Sequence, residues 1–443
     1  MEKRIIIIGA GPTGIGAGFR LQEQGFRNWV IYEKNSYCGG LAASFVDKKG
    51  FTWDLGGHVV FSHYPYIDRL FDLSLGDKKN TRIRESWIWV KDRFVPYPFQ
   101  NNIRYLDKED VEACVADMLA VNSKNAPAAN FKEWINSKFG KRIAQLFMIP
   151  YNLKVWAHPL GRMSVSWIDE RVSVVDAQRI IKNVEEERDD ISWGPNRTFS
   201  FPLKGGTKAL FEGLAKYFKK NIHLNREIRK VDVEKKIVYF SNGKAEKYDF
   251  LINTMPLDAF VRIARLKSFY RDIKKLRHNS VLVVGIGVKG KCPSNKNWMY
   301  FPERNCPFYR VTYFSNYSKF NVPRGGYYSF LCETAYSDFK KENKSTIIRR
   351  TIDGLKNTRL LSGKEEIIST YLLDVDYAYP IPTLDRDAAL SRIQQFLMEK
   401  DIYSRGRFGA WKYEVGNMDH SVMMGAEVVD KILDNKPETV WHL

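Results

Sequence analysis

Long hydrophobic runs are missing: no apolar stretch of this 443-residue chain reaches the roughly 18 to 20 residues needed to cross a bilayer. The longest, Ile5 to Ile8 and Val281 to Val288, are short, and glycines at 285 and 287 interrupt the second, so an integral membrane class is excluded. The N-terminal run is also too short for a signal-peptide core and leads into glycines instead of a cleavage site, from which a cytoplasmic protein is expected. Cysteine is scarce. The five (Cys38, Cys114, Cys292, Cys306 and Cys332) form no CxxC pair, which excludes a disulfide scaffold or zinc ribbon and leaves them as structural thiols. The seven histidines are dispersed, with neither HExxH nor a pair at i, i+4, so no protein-held metal is expected. Internal repeats and low-complexity segments are absent. Acidic residues are outnumbered, 51 Asp+Glu against 70 Lys+Arg, for a net charge of +19. The basic residues are spread out apart from a cluster at Arg265, Lys267, Arg271, Lys274, Lys275 and Arg277, whose helical spacing reads as a solvated face. Phosphate-bearing small ligands therefore fit this charge better than nucleic acid does.

Aromatic rings are present in quantity: 27 Phe, 23 Tyr and 11 Trp. Together with 44% hydrophobic residues they exclude disorder, supply an ample core and leave flat surfaces for a ligand. The first unit reads strand, turn, helix, strand: Ile5 to Ile8, Gly9 to Gly14, Ile15 to Gln24, Trp29 to Glu33. From Lys108 to Arg188 the pattern is helical, opened by Asp107 as an N-cap and an acidic first turn. Glu227 to Val233 and Lys236 to Phe240 read as a hairpin, followed by a buried strand at Phe250 to Asn253. Further strands are expected at Ser280 to Val288, Phe308 to Phe314, Tyr327 to Glu333 and Ile367 to Val375, with a helix near Lys344 to Leu355 and a last helix starting near Asp419.

Gly9-x-Gly11-x-x-Gly14 follows an apolar strand and opens a helix, where backbone N–H groups at the helix N-terminus can meet a pyrophosphate. Glu33 lies 19 residues after Gly14 at the end of the second strand, placed to accept ribose hydroxyls. The continuation to Gly39-Gly40-Leu41-Ala42 resembles amine-oxidase-like flavoproteins more than NAD dehydrogenases, so FAD is the expected cofactor. The expected class is α/β: a discontinuous Rossmann-like FAD-binding domain (1–104, 204–278 and 404–443), a helical substrate-binding insert with mobile loops (105–203) and an antiparallel β-sheet domain (279–403).

Five further segments carry a closer resemblance: Gly56-Gly57-His58-Val59-Val60-Phe61-Ser62-His63, Val95 through Asn102, Pro150 through Trp156, Asn305-Cys306-Pro307-Phe308-Tyr309-Arg310, and Arg407 with Gly416 through Ser421. Collinear from Ile5 to about Val429, the chain resembles the UDP-galactopyranose mutases of the eukaryotic type. The resemblance implies an enzyme that interconverts a UDP-pyranose and the UDP-furanose without net redox change, with reduced flavin N5 attacking the sugar C1 and displacing UDP. It implies Arg310 and Arg171 on the diphosphate, with Tyr379, Arg407 and Tyr413 completing a phosphate cage and His58, beside Gly56 and Gly57, on the flavin side. Tyr97 and Phe147 would pack on uracil and Gln100 would pair with its edge, while Asn152 and Trp156 would lie near the ribose and sugar. Asn196 would reach the nucleotide from a mobile loop, and Trp298 and Tyr300 would wall the sugar pocket beside Asn417. Flavin contacts would come from Gly9, Gly11, Thr13, Gly14, Glu33, Gly40, Leu41, Ser44, Gly56, Gly57, Val231, Gly416, Asn417 and Ser421. His63, Arg84 and Ser86 would receive NADPH as reductant. Two departures stand out. Met418 replaces a polar residue, removing one hydrogen bond near the flavin, and the stretch from Arg310 to Tyr379 is shorter than is typical of that type. The rival reading, a flavin amine oxidase or desaturase, shares the glycine fingerprint but needs no diphosphate cage. The sequence leaves the sugar and the oligomeric state open.

Overall fold

The computed structural model describes residues 3–121, 127–168, 171–174, 177–191, 193–194 and 197–442. At its centre a five-stranded parallel sheet runs in the order Ile402–Ser404, Phe250–Asn253, Ile5–Ile8, Trp29–Tyr32, Ile222–His223. The unbroken Ile5-Ile6-Ile7-Ile8 is what a strand covered on both faces requires. Ile5 and Ile7 pack with Val422 and Val428 under the helices Pro12–Glu23 and Met418–Asp434, whereas Ile6 and Ile8 pack with Leu390, Ile393 and Leu397 of the helix Arg386–Glu399. The first two helices touch backbone to backbone. A Cβ on Gly16 would sit 2.3 Å from the carbonyl oxygen of Val422, and one on Gly425 would sit 2.1 Å from that of Thr13.

A seven-stranded sheet stands beside this unit, ordered Ile367–Ile381, Arg277–Lys289, Tyr327–Tyr336, Arg310–Tyr313, Trp298–Tyr300, Ser86–Val90, Arg93–Pro96. Its pairings are antiparallel except for the parallel one between Trp298–Tyr300 and Ser86–Val90, so the sheet is mixed. The helices Lys108–Val121, Phe131–Ile143, Ile149–Trp156 and Ala177–Glu185 share a third core with Ile88, Val95, Phe99 and Ile103. Two segments therefore leave the units to which the sequence reading assigned them. Strands 86–96 join the large sheet instead of the cofactor unit, because their alternate side chains complete the cores on either side of it. The helix Arg386–Glu399 covers the parallel sheet instead of belonging to the 279–403 unit.

The hairpin Ser44–Val46/Thr52–Asp54 leans from the cofactor unit onto the large sheet. Phe51 and Trp53 stack with their rings 5.6 Å apart and lie flat over the backbone of Gly287 and Gly285, where a Cβ would come within 2.6 and 2.5 Å of the rings. Those glycines interrupt an apolar strand because two aromatic faces occupy the space their side chains would take.

Candidate active site

The strand-to-helix turn after Ile8 is a dinucleotide cradle. Gly9 has φ +100°, and a Cβ there would lie 2.4 Å from Thr254 Oγ1; one on Gly14 would lie 1.9 Å from the carbonyl oxygen of Gly9. The helix Pro12–Glu23 begins with proline in its first turn and no side-chain cap, leaving its N-terminal N–H groups to a ligand anion. Gly40, at φ +53°, brings the next loop onto Gly11. The Glu33 carboxylate accepts from Ala10 N and Asn35 N, both at 2.8 Å, and is thereby fixed at the end of its strand. Ser44 is engaged by Asp54, and its Oγ accepts from Lys208 N. Val231 lies in a core-facing strand, paired with Val238. Gly416 accepts from Arg407 Nε at 2.9 Å, Asn417 stands at the N-cap position of the last helix and Ser421 lies in its first turns. The closely packed glycines, the helix start without a side-chain cap and the carboxylate at the strand end fit an FAD.

Beside the cradle opens a cavity of about 290 Å³. Register explains one wall: Tyr300, Arg310 and Glu333 are direct partners across three adjacent strands and so fall in one row. Tyr97, Arg171, Trp298, Tyr379, Arg407, Tyr413, Asn417, His58, His63, Arg84, Leu41, Gly56 and Gly57 also line it, which brings fifteen of the sequence-predicted residues, Tyr300 and Arg310 included, to one place. Sequence reasoning missed Tyr309, Glu333, Asp419 and Trp193.

Among the described residues, four guanidinium groups and two carboxylates line the cavity, an excess of positive charge suited to a dianion. Arg310 donates through Nε and Nη2 to the two oxygens of Glu333, each at 2.7 Å. Burial would lower the Arg310 pKa, but Glu333 overrides it and raises it; burial likewise opposes, and Arg310 overrides it, to hold the Glu333 carboxyl below its ordinary range. The side-on edge of Arg310 is thus committed within the protein, and the grip expected on a phosphate must use the end bearing Nη1. Arg407 has no carboxylate partner among the described residues. It donates to Gly416 O and stands 5.5 Å from the Tyr379 ring, with burial drawing its pKa down. Arg171 donates to Glu414 O and lies over Tyr413. Burial raises the phenols of Tyr97, Tyr300, Tyr309 and Tyr413, so they are hydroxyl donors at neutral pH.

His58 is held neutral: burial first, then Arg407 and Arg310, lower its pKa to about 4, and its buried Nδ1 has no hydrogen-bond partner among the described residues. His63 Nδ1 lies 2.6 Å from Asp419 Oδ2 and His420 Nδ1 lies 3.2 Å from Oδ1. Burial opposes, but His420 and His63 bring the Asp419 pKa to about 2. Ligand atoms of these three residues lie within 4.8 Å of one another, a grouping the dispersed histidine spacing did not foreshadow.

Other expected contacts lie elsewhere. Gln100 donates to Ser173 O, Asn152 to Met148 O, and Phe147 stacks on Tyr151, all packed in or against the helical core. Trp156 is 2% exposed against Trp167 and Tyr413. The helix Ile149–Trp156 turns Asn152 and Trp156 inward, and none of the four is among the described residues that line the cavity. Arg84 clamps Ile191 O and Trp193 O and stands over the Tyr97 ring, and Ser86 sits behind it in the sheet, paired with Trp298. Asn196 lies outside the described residues.

A pH signature follows from the buried titratable groups. Burial lowers His158, 5% exposed, to about 4 as it does His58. Both imidazoles titrate near 6.5 when unfolded, so each contributes stability that is complete above pH 6.5 and lost as the pH falls toward 4. Asp54, which burial raises to about 6, acts oppositely, gaining stability as the pH falls from 6 toward 3.8; Asp419 acts only below that window. With two histidines against one carboxylate, the urea midpoint should be lower at pH 4.5 than at pH 6.5, and His158→Gln should flatten the difference. An unaltered slope in that variant would show that His158 does not carry it.

A glycine-built dinucleotide cradle opening onto a cationic, phenol-lined cavity defines a dinucleotide-binding class of protein with a second pocket beside the cofactor site. A family model for flavin containing amine oxidoreductases matches residues 12–395. Among curated proteins, zeta-carotene desaturase of Capsicum annuum is 38% identical over 82 residues, and protoporphyrinogen oxidase 2 of Arabidopsis thaliana is 27% identical over 123. These matches cover 18% and 28% of this chain and only 14% and 22% of those proteins. Over the whole length the chain is similar to a crystal structure of reduced UDP-galactopyranose mutase, with TM-score 0.97 and 44% identity, covering 99% of this chain and 96% of that one. A CLA-producing fatty acid isomerase from P. acnes shares the fold at TM-score 0.68 and 16% identity over 98% of this chain and 99% of that one. The chain belongs to the flavin containing amine oxidoreductase family and, within it, to the UDP-galactopyranose mutases.

Proposed function

We propose that this protein interconverts UDP-galactopyranose and UDP-galactofuranose with bound FAD, which is consumed neither as oxidant nor as reductant. The observation that carries the reading is the convergence of Arg84, Arg171, Arg310 and Arg407 with phenols on one cavity beside the Gly56-Gly57-His58 loop. The cradle at Gly9 to Gly14, Glu33 and the Gly416–Ser421 turn would hold the cofactor. Reduced flavin would supply an electron-rich nitrogen nucleophile for the sugar C1; among the described residues that line the cavity there is no Ser, Cys or Lys to take that part.

The chain's own residues do the rest. Arg407, whose guanidinium has no carboxylate partner among the described residues, and the Nη1 end of Arg310 bind the diphosphate and stabilise charge that grows as the C1–O bond breaks. Arg171, Tyr379 and Tyr413 complete the cage. Tyr97, Trp193, Trp298 and Tyr300 give the cavity an aromatic wall that limits water, which would otherwise intercept the reacting sugar. His58 faces the same space as a neutral imidazole with Nδ1 uncommitted. NADPH is the reductant in this reading. Because His63 and Arg84 line the cavity that holds Arg310, NADPH and the UDP-sugar would compete for it.

Purified protein should carry non-covalent flavin, and after dithionite reduction under nitrogen it should convert UDP-galactofuranose to UDP-galactopyranose with no net flavin oxidation. NADPH should replace dithionite, and excess UDP should slow that reduction. Equal turnover by the air-oxidised enzyme would end the nucleophilic-flavin reading, and stoichiometric flavin reduction by an amine or polyene would favour the oxidase or desaturase alternative.

A further inference from the structure

Glu333 is a carboxylate in the middle of the buried strand Tyr327–Tyr336, 2% exposed, and it accepts four hydrogen bonds. Oε1 takes Arg310 Nε at 2.7 Å and Gly57 N at 3.1 Å; Oε2 takes Arg310 Nη2 at 2.7 Å and the Tyr309 hydroxyl at 2.8 Å. The donors come from two chain segments, the Gly56-Gly57-His58 loop and the strand edge carrying Tyr309 and Arg310. The packing there is close: a Cβ on Gly57 would lie 2.9 Å from Thr312 Oγ1 and 3.3 Å from Glu333 Oε1. A carboxylate whose lone pairs are all occupied by fixed donors has one comfortable geometry. If the loop shifts Gly57 N, Oε1 must follow or lose a bond, and Arg310 Nε shares that atom.

We infer that Glu333 is a positioning residue that couples the Gly56-Gly57-His58 loop to Arg310, so that the state of the flavin-side loop is transmitted to the phosphate-binding guanidinium. This rests on the proposed flavin and UDP-sugar reading of the cavity. Coupling of this kind is reciprocal: UDP must bind oxidised and reduced protein with different affinity, and the flavin midpoint potential must move when UDP binds.

The test uses the FAD-loaded protein and UDP alone. UDP dissociation constants are measured on oxidised and on dithionite-reduced protein, for wild type, Glu333→Gln and Glu333→Asp. The amide puts an NH2 where one oxygen accepted two donors, and the aspartate keeps the charge but withdraws it by one methylene. Wild type should show at least a fivefold affinity difference between redox states, and each variant that retains flavin should bring the ratio to within twofold of unity. A merely structural glutamate would lower stability and leave the ratio unchanged. A wild-type ratio of one, or a folded variant that keeps the wild-type ratio, overturns the inference. Sugar turnover is measured separately: loss of the redox-dependent UDP ratio in the variants together with absent wild-type isomerisation would leave Glu333 in this role and overturn only the mutase reading.

Discussion

Arg310→Ala should lower UDP-sugar turnover about 10²- to 10³-fold on fully reduced, flavin-replete protein, the effect of removing one strong preorganised donor from a developing anion. Stability should fall too. Glu333 would remain buried with its side-on partner gone, and breaking such a pair costs about 3 to 5 kcal/mol. Arg310→Lys should recover part of both, because an ammonium can face one Glu333 oxygen or a phosphate but cannot reproduce the fork. Flavin content should stay normal, since the cradle is built from other segments. Turnover within a few-fold of wild type in both variants would remove Arg310 from the site.

Gly14→Ala should abolish flavin binding. The added methyl would be placed 1.9 Å from the carbonyl oxygen of Gly9, a backbone atom fixed by its own strand, with Ile7 closing the other side at 3.4 Å. The turn must open, and the N–H groups at the start of the helix Pro12–Glu23 then lose their aim at the pyrophosphate. The absorbance near 450 nm relative to 280 nm measures this directly. A soluble Gly14→Ala protein with wild-type flavin content would mean that the turn is not the pyrophosphate site.

The cradle was legible in the sequence because its demands are local: glycines at fixed offsets and an acid one strand further on. The arginines expected on the diphosphate came from the resemblance, and Arg310 stands in the cavity with Arg171, Arg407, Tyr379 and Tyr413. Glu333 was not, because its role comes from cross-strand register with a residue 23 positions away, which no local pattern encodes. A signal was present in the lone charge between Cys332 and Thr334 in an otherwise buried run, since an unpaired carboxylate is costly there and demands a partner. Asn152 and Trp156 lie on the inward face of the helix Ile149–Trp156 for a related reason: helical spacing fixes which residues share a face, not which way that face turns. The expected boundary at 104 does not coincide with the edge of a sheet, because the strands Ser86–Val90 and Arg93–Pro96 belong to the seven-stranded sheet and are shared between two cores.

The ring stack of Phe51 and Trp53 over Gly285 and Gly287 amounts to a spacer of set thickness. Four residues after Trp53 the same chain becomes Gly57, whose N–H reaches Glu333, while the strand beneath the rings pairs with the one bearing Glu333. The gap between the cofactor loop and the arginine wall is therefore gauged by two flat rings lying on bare backbone. Side chains added at 285 or 287 would act as shims, widening that gap at a distance without altering any residue of the cavity itself.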